Sequence, residues 1–215
     1  MALKFAICIV IGYFIGTIST GYIYGKTQKL DIRDYGSGNA GTTNAFRVLG
    51  SKGGVITFIG DFLKAFIPLI LMKYVLFKDL DYLNLLMLVF GLGIVLGHNY
   101  PVWLHFKGGK GIASTGGVFV AFDPLILIPG AIVFGGLIGI TKYVSVGSIF
   151  LSILFPIWVA IRFRGDPYYP WLILVTCIYT LSALWRHRAN IVRLFKGTEN
   201  RIGVRVDTTK KNSEL

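Results

Sequence analysis

The chain has 215 residues, of which 54% are hydrophobic and only 15% are charged. Soluble domains average about 25% charged residues, and here the apolar residues form long blocks instead of amphipathic periods. This composition excludes an ordinary soluble domain and predicts an integral membrane protein. The net charge of +12 comes mainly from basic residues between the blocks. It indicates anionic lipid headgroups or a phosphorylated molecule as partners, and not nucleic acid.

Five apolar blocks have the roughly 20 residues that a membrane-spanning helix needs. The first is too long for a signal peptide and lacks a cleavage site of small residues, so we expect it to be retained. Glycine pairs four residues apart, at 93 and 97 and at 135 and 139, predict close helix packing. The five predicted spans are residues 3–24, 54–77, 82–98, 147–163 and 168–185.

The stretch from residue 112 to 140 is also apolar, but it is interrupted by Asp123 and by two prolines. A proline in mid-helix breaks the hydrogen-bond ladder. The pattern therefore predicts either two short spans, 112–122 and 125–140, or a re-entrant hairpin. Both alternatives give an even number of crossings.

The distribution of basic residues favours the same parity. Sixteen Lys and Arg residues fall in the loops 25–53, 99–111 and 141–146 and in the tail 186–215, against four on the opposite side. The positive-inside rule places those loops and the tail in the cytoplasm. We therefore predict an all-α integral membrane protein with seven transmembrane helices, some of them short, an external N-terminus and a cytoplasmic C-terminus. Five spans plus a hairpin is the alternative.

The first unusual loop, residues 36–47, is rich in glycine, hydroxyls and amides and ends on one arginine. Glycines let the backbone turn sharply, so that several N–H groups can point at one anion. The loop formally contains a dinucleotide-binding pattern, but no strand precedes it, which disfavours a nucleotide. A linker without a ligand is the other alternative, although it has no evident need for these side chains. The candidates are Ser37, Gly38, Asn39, Gly41, Thr42, Asn44 and Arg47.

The second loop places Lys107 and Lys110 around Gly108 and Gly109, where an apolar helix begins. A helix N-terminus presents free N–H groups and a partial positive charge, so it suits a phosphate. The loop is not an ATP-binding Walker motif, because Gly111 stands where that motif requires Ser or Thr. A basic loop that only sets the membrane topology is the alternative.

The third segment, residues 186–193, reads R-H-R-A-N-I-V-R. If the last span continues into it, His187 and Asn190 share one helix face. A basic helix lying on the membrane surface is an almost equally good interpretation. Ser145, in the remaining cytoplasmic turn, becomes a candidate only in the company of these loops.

Two further features bear on the site and on the domain organisation. Asp61 and Lys64 lie within the second span, where charges are costly, and they form either a structural ion pair or a substrate contact. The three histidines do not match zinc spacing, so we predict neither a metal nor a cofactor. Residues 1–200 are predicted to form one polytopic membrane domain and residues 201–215 a polar cytoplasmic tail.

Together the three segments resemble the PlsY family, the bacterial glycerol-3-phosphate acyltransferases that use acyl phosphate as donor. The resemblance covers almost the whole chain. It is carried by S-G-N-x-G-x-x-N-x-x-R, then G-H-x-x-P with K-G-G-K-G, then R-H-x-x-N-I-x-R, in that order. Family site residues match at Ser37, Asn39, Arg47, Lys107, Ser145, His187 and Asn190.

This resemblance implies a seven-helix fold in the bacterial inner membrane with its site facing the cytoplasm. It implies acyl transfer to the 1-hydroxyl of glycerol 3-phosphate, the first acylation of phospholipid synthesis, and partnership with the soluble enzyme that forms acyl phosphate. Lys107, His187 and Arg47 are then the catalytic candidates. The substrate-binding candidates are Ser37, Gly38, Asn39, Gly41, Thr42, Asn44, Gly108, Gly109, Lys110, Ser145 and Asn190.

Two questions stay open at this stage. The general base is either His187, whose side chain normally titrates near neutrality, or the phosphate of the donor itself. The lack of a His–carboxylate dyad favours the donor phosphate. A small-anion transporter is the main rival function, but its site is expected at the bilayer midplane between related halves, and the sequence contains no internal repeat. A non-catalytic membrane anchor leaves the polar residues of the first loop unexplained.

Overall fold

The computed structural model describes residues 2–209, and within that range the fold is helical and contains no β-strand. The first half of the described chain contains α1 (Ala2–Gly16), α2 (Thr20–Thr27), α3 (Thr42–Val48), α4 (Gly50–Leu71, continued by a π-helical turn, Met72–Leu76) and α5 (Leu83–Asn99). The second half contains α6 (Ile112–Phe122), α7 (Leu127–Thr141), α8 (Val144–Arg162), α9 (Tyr169–Arg186) and α10 (Arg188–Phe195).

Five helical segments of the described chain are long and apolar enough to cross a membrane. Four of them overlap blocks predicted as clear spans, and the fifth covers the second part of the interrupted stretch. Helix α6 is a shorter apolar helix, and α9 falls on the last predicted block. The all-α membrane class is thereby confirmed. The five segments are Ala2–Thr27, Gly50–Leu76, Leu83–Leu104, Pro124–Thr141 and Val144–Arg162.

The predicted interruption after residue 122 is confirmed. Helix α6 ends at Phe122, and the Asp123 carboxylate accepts a hydrogen bond from the backbone N–H of Leu125 (3.1 Å), which closes a tight turn into α7. The same carboxylate accepts a hydrogen bond from Trp158 Nε1 (3.1 Å) and pairs with Arg162 (3.4 Å) at the end of α8. Pro129 does not break α7, because a proline in the first turn of a helix removes no hydrogen bond.

Helices α1 and α5 pack backbone against backbone through glycines. A Cβ atom built on Gly93 or Gly97 would lie 2.4 or 2.0 Å from a carbonyl oxygen of α1. Close packing is therefore confirmed for this glycine pair. The same prediction is wrong for the pair at 135 and 139, where among the described residues nothing lies within 4 Å of either Cβ position. Spacing indicates that a helix face is smooth, but it does not say whether a partner covers that face.

A buried ion pair joins three helices. The first apolar block is broken after Gly16, and the carbonyls of Gly16 and Ile18 accept hydrogen bonds from Lys64 Nζ (3.1 and 2.6 Å). Lys64 Nζ also lies 3.0 Å from Asp61 Oδ1 and 2.9 Å from His98 Nδ1. Of the two alternatives for Asp61 and Lys64, the structural ion pair is present, and it ties α4 to the break between α1 and α2 and to the end of α5.

Replacing Lys64 by Met tests this pair. The change leaves the buried Asp61 carboxylate without its cation, and breaking a buried pair in this way costs about 3–5 kcal/mol. We expect that loss in the free energy of unfolding, measured by denaturant titration in detergent micelles. Lys73→Met is the matched control, because Lys73 donates to the backbone carbonyls of Ala121 and Phe122 (3.3 and 2.8 Å). Its loss is expected to stay near 1–2 kcal/mol.

The double variant Asp61→Asn with Lys64→Met removes the unpaired charge. It is expected to regain part of the stability that the single Lys64 variant loses. A double variant no more stable than Lys64→Met alone contradicts this account of the pair.

Candidate active site

One cavity of about 630 Å³ extends from the loops at one end of the helices into the apolar core. Its polar end is lined by four segments that are far apart in sequence: the loop before α3, the loop before α6, the start of α8 and the segment after α9. All three segments singled out by their sequence therefore meet at one place. The cavity is the candidate active site.

The first loop is shaped by one buried amide. Asn44 Nδ2 donates to the carbonyls of Ile32 (2.7 Å), Tyr35 (3.1 Å) and Asn39 (2.9 Å), while its Oδ1 accepts from the backbone N–H of Ser37 (2.9 Å). Both polar atoms of the Asn44 side chain are thus engaged by the protein itself. The side chain holds the loop in a curve around the cavity, and its contact with a substrate stays a prediction.

Glycine is required in this curve. Gly36 and Gly38 have φ angles of 60° and 67°, in the left-handed region where other residues are strained. A Cβ on Gly36 would also lie 2.6 Å from Asn44 Oδ1. The glycines that the sequence pattern indicated therefore serve both the backbone conformation and the close approach of Asn44.

The second loop is clamped by the third segment. Arg186 donates to the carbonyl of Gly109 from Nε (2.9 Å) and Nη2 (2.6 Å), and to that of Gly108 from Nη2 (3.1 Å). Both glycines pack against His98, since a Cβ on either would lie within about 2 Å of a His98 atom. This clamp places Lys110 at the cavity wall, whereas Lys107 is exposed and lies outside the cavity lining.

A buried carboxylate organises the third segment and its neighbours. Glu199 Oε1 accepts hydrogen bonds from Asn190 Nδ2 (2.7 Å) and from the Ser145 hydroxyl (3.1 Å), and its Oε2 pairs with Arg193 (2.8 Å). The Lys110 ammonium in turn donates to Asn190 Oδ1. The network orients Asn190 and Ser145 at the cavity and balances part of the positive charge around them.

Burial shapes the charge of the site. The pKa of Lys110 is lowered to about 8, mainly by desolvation, against the opposing effect of Glu199. Desolvation, aided by the nearby Lys110 ammonium, lowers the pKa of His187 to about 4, so this imidazole is neutral at physiological pH. His187 Nδ1 lies 2.8 Å from the carbonyl of Ala183. Because a carbonyl only accepts, Nδ1 carries the proton and Nε2 keeps a free lone pair.

The chain beyond Glu199 crosses the polar end of the cavity. The backbone N–H of Ile202 donates to the carbonyl of Lys142 (2.8 Å), and that of Val206 donates to the carbonyl of Arg47 (3.1 Å). Residues 202–205 also line the cavity. This part of the tail therefore joins α3 to the turn between α7 and α8.

The other end of the cavity is an apolar arm between α4, α6, α7 and α8. A cavity that combines a cationic, amide-rich end with an apolar arm suits an anionic amphiphile. The arm is lined by Phe58, Phe62, Gly116, Phe119, Val120, Ile126, Leu127, Gly130, Ala131, Phe134, Ile138 and Leu151.

The structure brings most of the predicted site residues to this cavity. The lining includes Ser37, Asn39, Gly41, Thr42, Asn44, Arg47, Lys110, Ser145, His187 and Asn190. It does not include Gly38, Lys107, Gly108 or Gly109, of which the first shapes its loop and the last two receive the Arg186 clamp. Sequence reasoning missed Glu199 and His98 as lining residues, whereas it had left Asp61 open as a substrate contact. An acidic residue within a basic segment was the available signal for Glu199.

Fold and site together define an α-helical integral membrane protein with a cavity at one end of its helices, whose lining suits an anionic amphiphile. The family model described as glycerol-3-phosphate acyltransferase matches residues 6–197. The chain is 40% identical to the glycerol-3-phosphate acyltransferase of Thermoanaerobacter pseudethanolicus over 199 residues, which is 92% of this chain and 96% of the relative. It is 39% identical to that of Bacillus subtilis over 198 residues, with 92% and 97% covered.

A solved structure gives the same result. The crystal structure of PlsY, an integral membrane glycerol 3-phosphate acyltransferase, in its glycerol 3-phosphate form superimposes with a TM-score of 0.81 at 36% identity, covering 93% of this chain and 96% of that one. Its lysophosphatidic acid form gives a TM-score of 0.79. The chain belongs to the PlsY family of glycerol-3-phosphate acyltransferases, which confirms the resemblance stated from the three motifs.

The lowered pKa of Lys110 predicts a pH-dependent anion affinity. Above about pH 8 the free ammonium loses its proton, so binding of a phosphate must restore that proton. Affinity for inorganic phosphate, followed by calorimetry, is then expected to fall by up to about tenfold per pH unit above pH 8. Lys110→Arg keeps its charge over this range and is expected to flatten the profile.

Lys107→Arg is the matched control on the exposed side of the same loop, and its profile is expected to follow the parent protein. A flat profile in the parent protein contradicts the assignment of Lys110 as the titrating group.

Proposed function

We propose that this protein transfers a fatty acyl group from acyl phosphate to the 1-hydroxyl of sn-glycerol 3-phosphate. The products are lysophosphatidic acid and inorganic phosphate, and the reaction is the first acylation of phospholipid synthesis. The observation that carries the proposal is the single cavity that joins a cationic end to an apolar arm. The related PlsY structures are described as glycerol 3-phosphate and lysophosphatidic acid forms, which are the acceptor and the product of this reaction.

The two phosphate groups account for the charge of the site. Arg47 and Lys110 lie at the cavity and neutralise charge that grows on the leaving phosphate. Lys107 stays a predicted catalytic residue, acting from the exposed side of the same loop. Ser37, Ser145 and Asn190 hold the acceptor. Backbone N–H groups and side chains of the glycine-rich loops complete both phosphate sites, at Gly38, Asn39, Gly41, Thr42, Asn44, Gly108 and Gly109.

The chemical step exchanges one carbon–oxygen bond for another. The 1-hydroxyl oxygen attacks the acyl carbonyl carbon, and the bond from that carbon to the bridging phosphate oxygen breaks. The hydroxyl proton leaves on the departing phosphate or on His187. Holding the two substrates in line supplies several kcal/mol of the rate gain, since well-oriented reactions gain about 7–11 kcal/mol.

The environment of His187 favours the phosphate as the proton acceptor. An imidazole with a pKa of about 4 is a weak base. Its Nε2 lone pair is nevertheless well suited to accept a hydrogen bond from the acceptor hydroxyl. We assign His187 to orienting the hydroxyl, and the leaving phosphate to taking its proton.

Localisation and topology follow from the same proposal. The site faces the cytoplasm of a bacterial cell with the N-terminus outside, seven helices cross the inner membrane, and residues 201–215 form a cytoplasmic tail after one domain of residues 1–200. Two observations support an even number of membrane crossings between residues 112 and 140. The three basic loops and the described part of the tail each contribute residues to the cavity lining or lie next to it, and the Asp123 turn lies beside Arg162 at the opposite end of α8. The soluble enzyme that forms acyl phosphate is the proposed protein partner.

A direct assay tests the reaction. Purified protein in detergent is incubated with palmitoyl phosphate and labelled glycerol 3-phosphate, without metal or coenzyme A. We expect labelled lysophosphatidic acid and an equal amount of inorganic phosphate. Product that forms only with acyl-coenzyme A removes the donor assignment and keeps the acyltransferase class.

Replacing His187 by Ala separates the two proton acceptors. If the phosphate takes the proton, KM for glycerol 3-phosphate rises and kcat falls by less than about tenfold. We also expect titration of His187 to leave the kcat of the parent protein unchanged between about pH 5.5 and 8. An imidazole with a pKa of about 4 is already neutral over that range. A loss of kcat of about 100-fold or more assigns the base to His187 instead. His105→Ala, an exposed histidine outside the cavity lining, is the control.

A further inference from the structure

We propose that Gly116 sets the length of acyl chain that the apolar arm accepts. The inference rests on the proposed function, because it assigns the arm to the acyl chain of the donor. It concerns a residue that belongs to none of the three sequence motifs and lies in the middle of α6.

Gly116 lies on the face of α6 that lines the arm. Ala113, Gly116 and Val120 follow one another at spacings of three and four residues, and all three line the cavity, as expected for one side of a helix. The neighbouring Gly117 points elsewhere, since a Cβ on it would lie 2.3 Å from the carbonyl oxygen of Phe62 on α4. Gly117 therefore serves helix packing, whereas Gly116 borders open space.

A side chain at position 116 would extend into the arm. The nearest atom to a Cβ built on Gly116 is Phe62 Cδ2, at 3.9 Å, which is an ordinary contact distance. Gly130 also lines the arm, but its Cβ position is already 3.3 Å from Leu151 Cδ1. Of these two lining glycines, Gly116 is therefore the one where an added Cβ takes space from the cavity without pressing on a neighbour.

The depth of Gly116 is suited to distinguishing long chains from short ones. It follows Ile112, the first residue of α6, by four residues, so it lies roughly 6 Å along the helix axis from the end of the helix next to Lys110, at 1.5 Å per residue. One leaflet of the hydrocarbon core is about 15 Å thick. A long acyl chain whose phosphate lies at Lys110 passes Gly116, whereas the end of a short chain stops near it.

The expected effect is a loss that grows with chain length. A single methylene that a hydrophobic pocket no longer accommodates changes kcat/KM by about 10-fold or more. For Gly116→Leu we expect kcat/KM with palmitoyl phosphate to fall at least about tenfold, and with octanoyl phosphate less than about threefold. Leucine also favours the helix more than glycine does.

The experiment compares octanoyl, lauroyl and palmitoyl phosphate with the parent protein and two variants. Gly135→Leu is the matched control, because it makes the same change on α7, where nothing among the described residues lies within 4 Å of the Cβ position and the residue does not line the cavity. We expect it to keep the parental profile. An equal loss of kcat/KM at all three lengths, or no loss with palmitoyl phosphate, overturns the role of Gly116.

Two further experiments keep the outcome decisive. If Gly116→Leu does not fold, Val120→Ala is tested in its place, because it enlarges the apolar arm on the same side of α6. For the inference to survive, this variant must raise kcat/KM for palmitoyl phosphate relative to octanoyl phosphate. If the parent protein uses acyl-coenzyme A instead of acyl phosphate, the proposed donor is wrong, and the length series is run with acyl-coenzyme A. Thermal stabilisation by lysophosphatidic acids of the same three lengths provides a readout that does not depend on the donor.

Discussion

The buried ammonium of Lys64 is the constraint from which the arrangement of the site follows. A charge inside a membrane protein must be surrounded by acceptors, and here these are Asp61, His98 and two carbonyls set free by the break between α1 and α2. His98 then packs against Gly109, whose loop carries Lys110 to the cavity. The ion pair deep in the core is thus connected to the position of a cation at the site.

The polar end of the cavity is built so that few of its groups need to move. Asn44 shapes the first loop, Arg186 clamps the second, and Glu199 holds Asn190 and Ser145 from the tail side. Groups held in this way stabilise charge in a transition state without the cost of reorganising at the moment of reaction. In the proposed reaction, their position at the end of the helices brings a phosphate and a hydrocarbon chain to one site, each in its preferred environment.

Several features could be predicted because they depend on local properties of the chain. Long apolar blocks identify the membrane class, and the break at Asp123 follows from proline chemistry. The spacing of glycines, amides and cations within the three segments identified the family and ten of the residues that line the cavity. These signals lie within one segment each, so no knowledge of their neighbours is needed.

What the sequence by itself determined is therefore the membrane class, the family and the set of loops that form the site. Tertiary structure decided which residue of each loop reaches the cavity: Lys110 lines it and Lys107 does not, and Glu199 enters it from the tail. It also decided that α1 breaks where Lys64 offers hydrogen bonds, and that no atom of residues 2–209 packs within 4 Å of a Cβ position at glycines 135 and 139. The physical reason is that a hydrogen bond or a packing contact joins two segments that are far apart in sequence. The distance between two such segments is set only when the helices have packed.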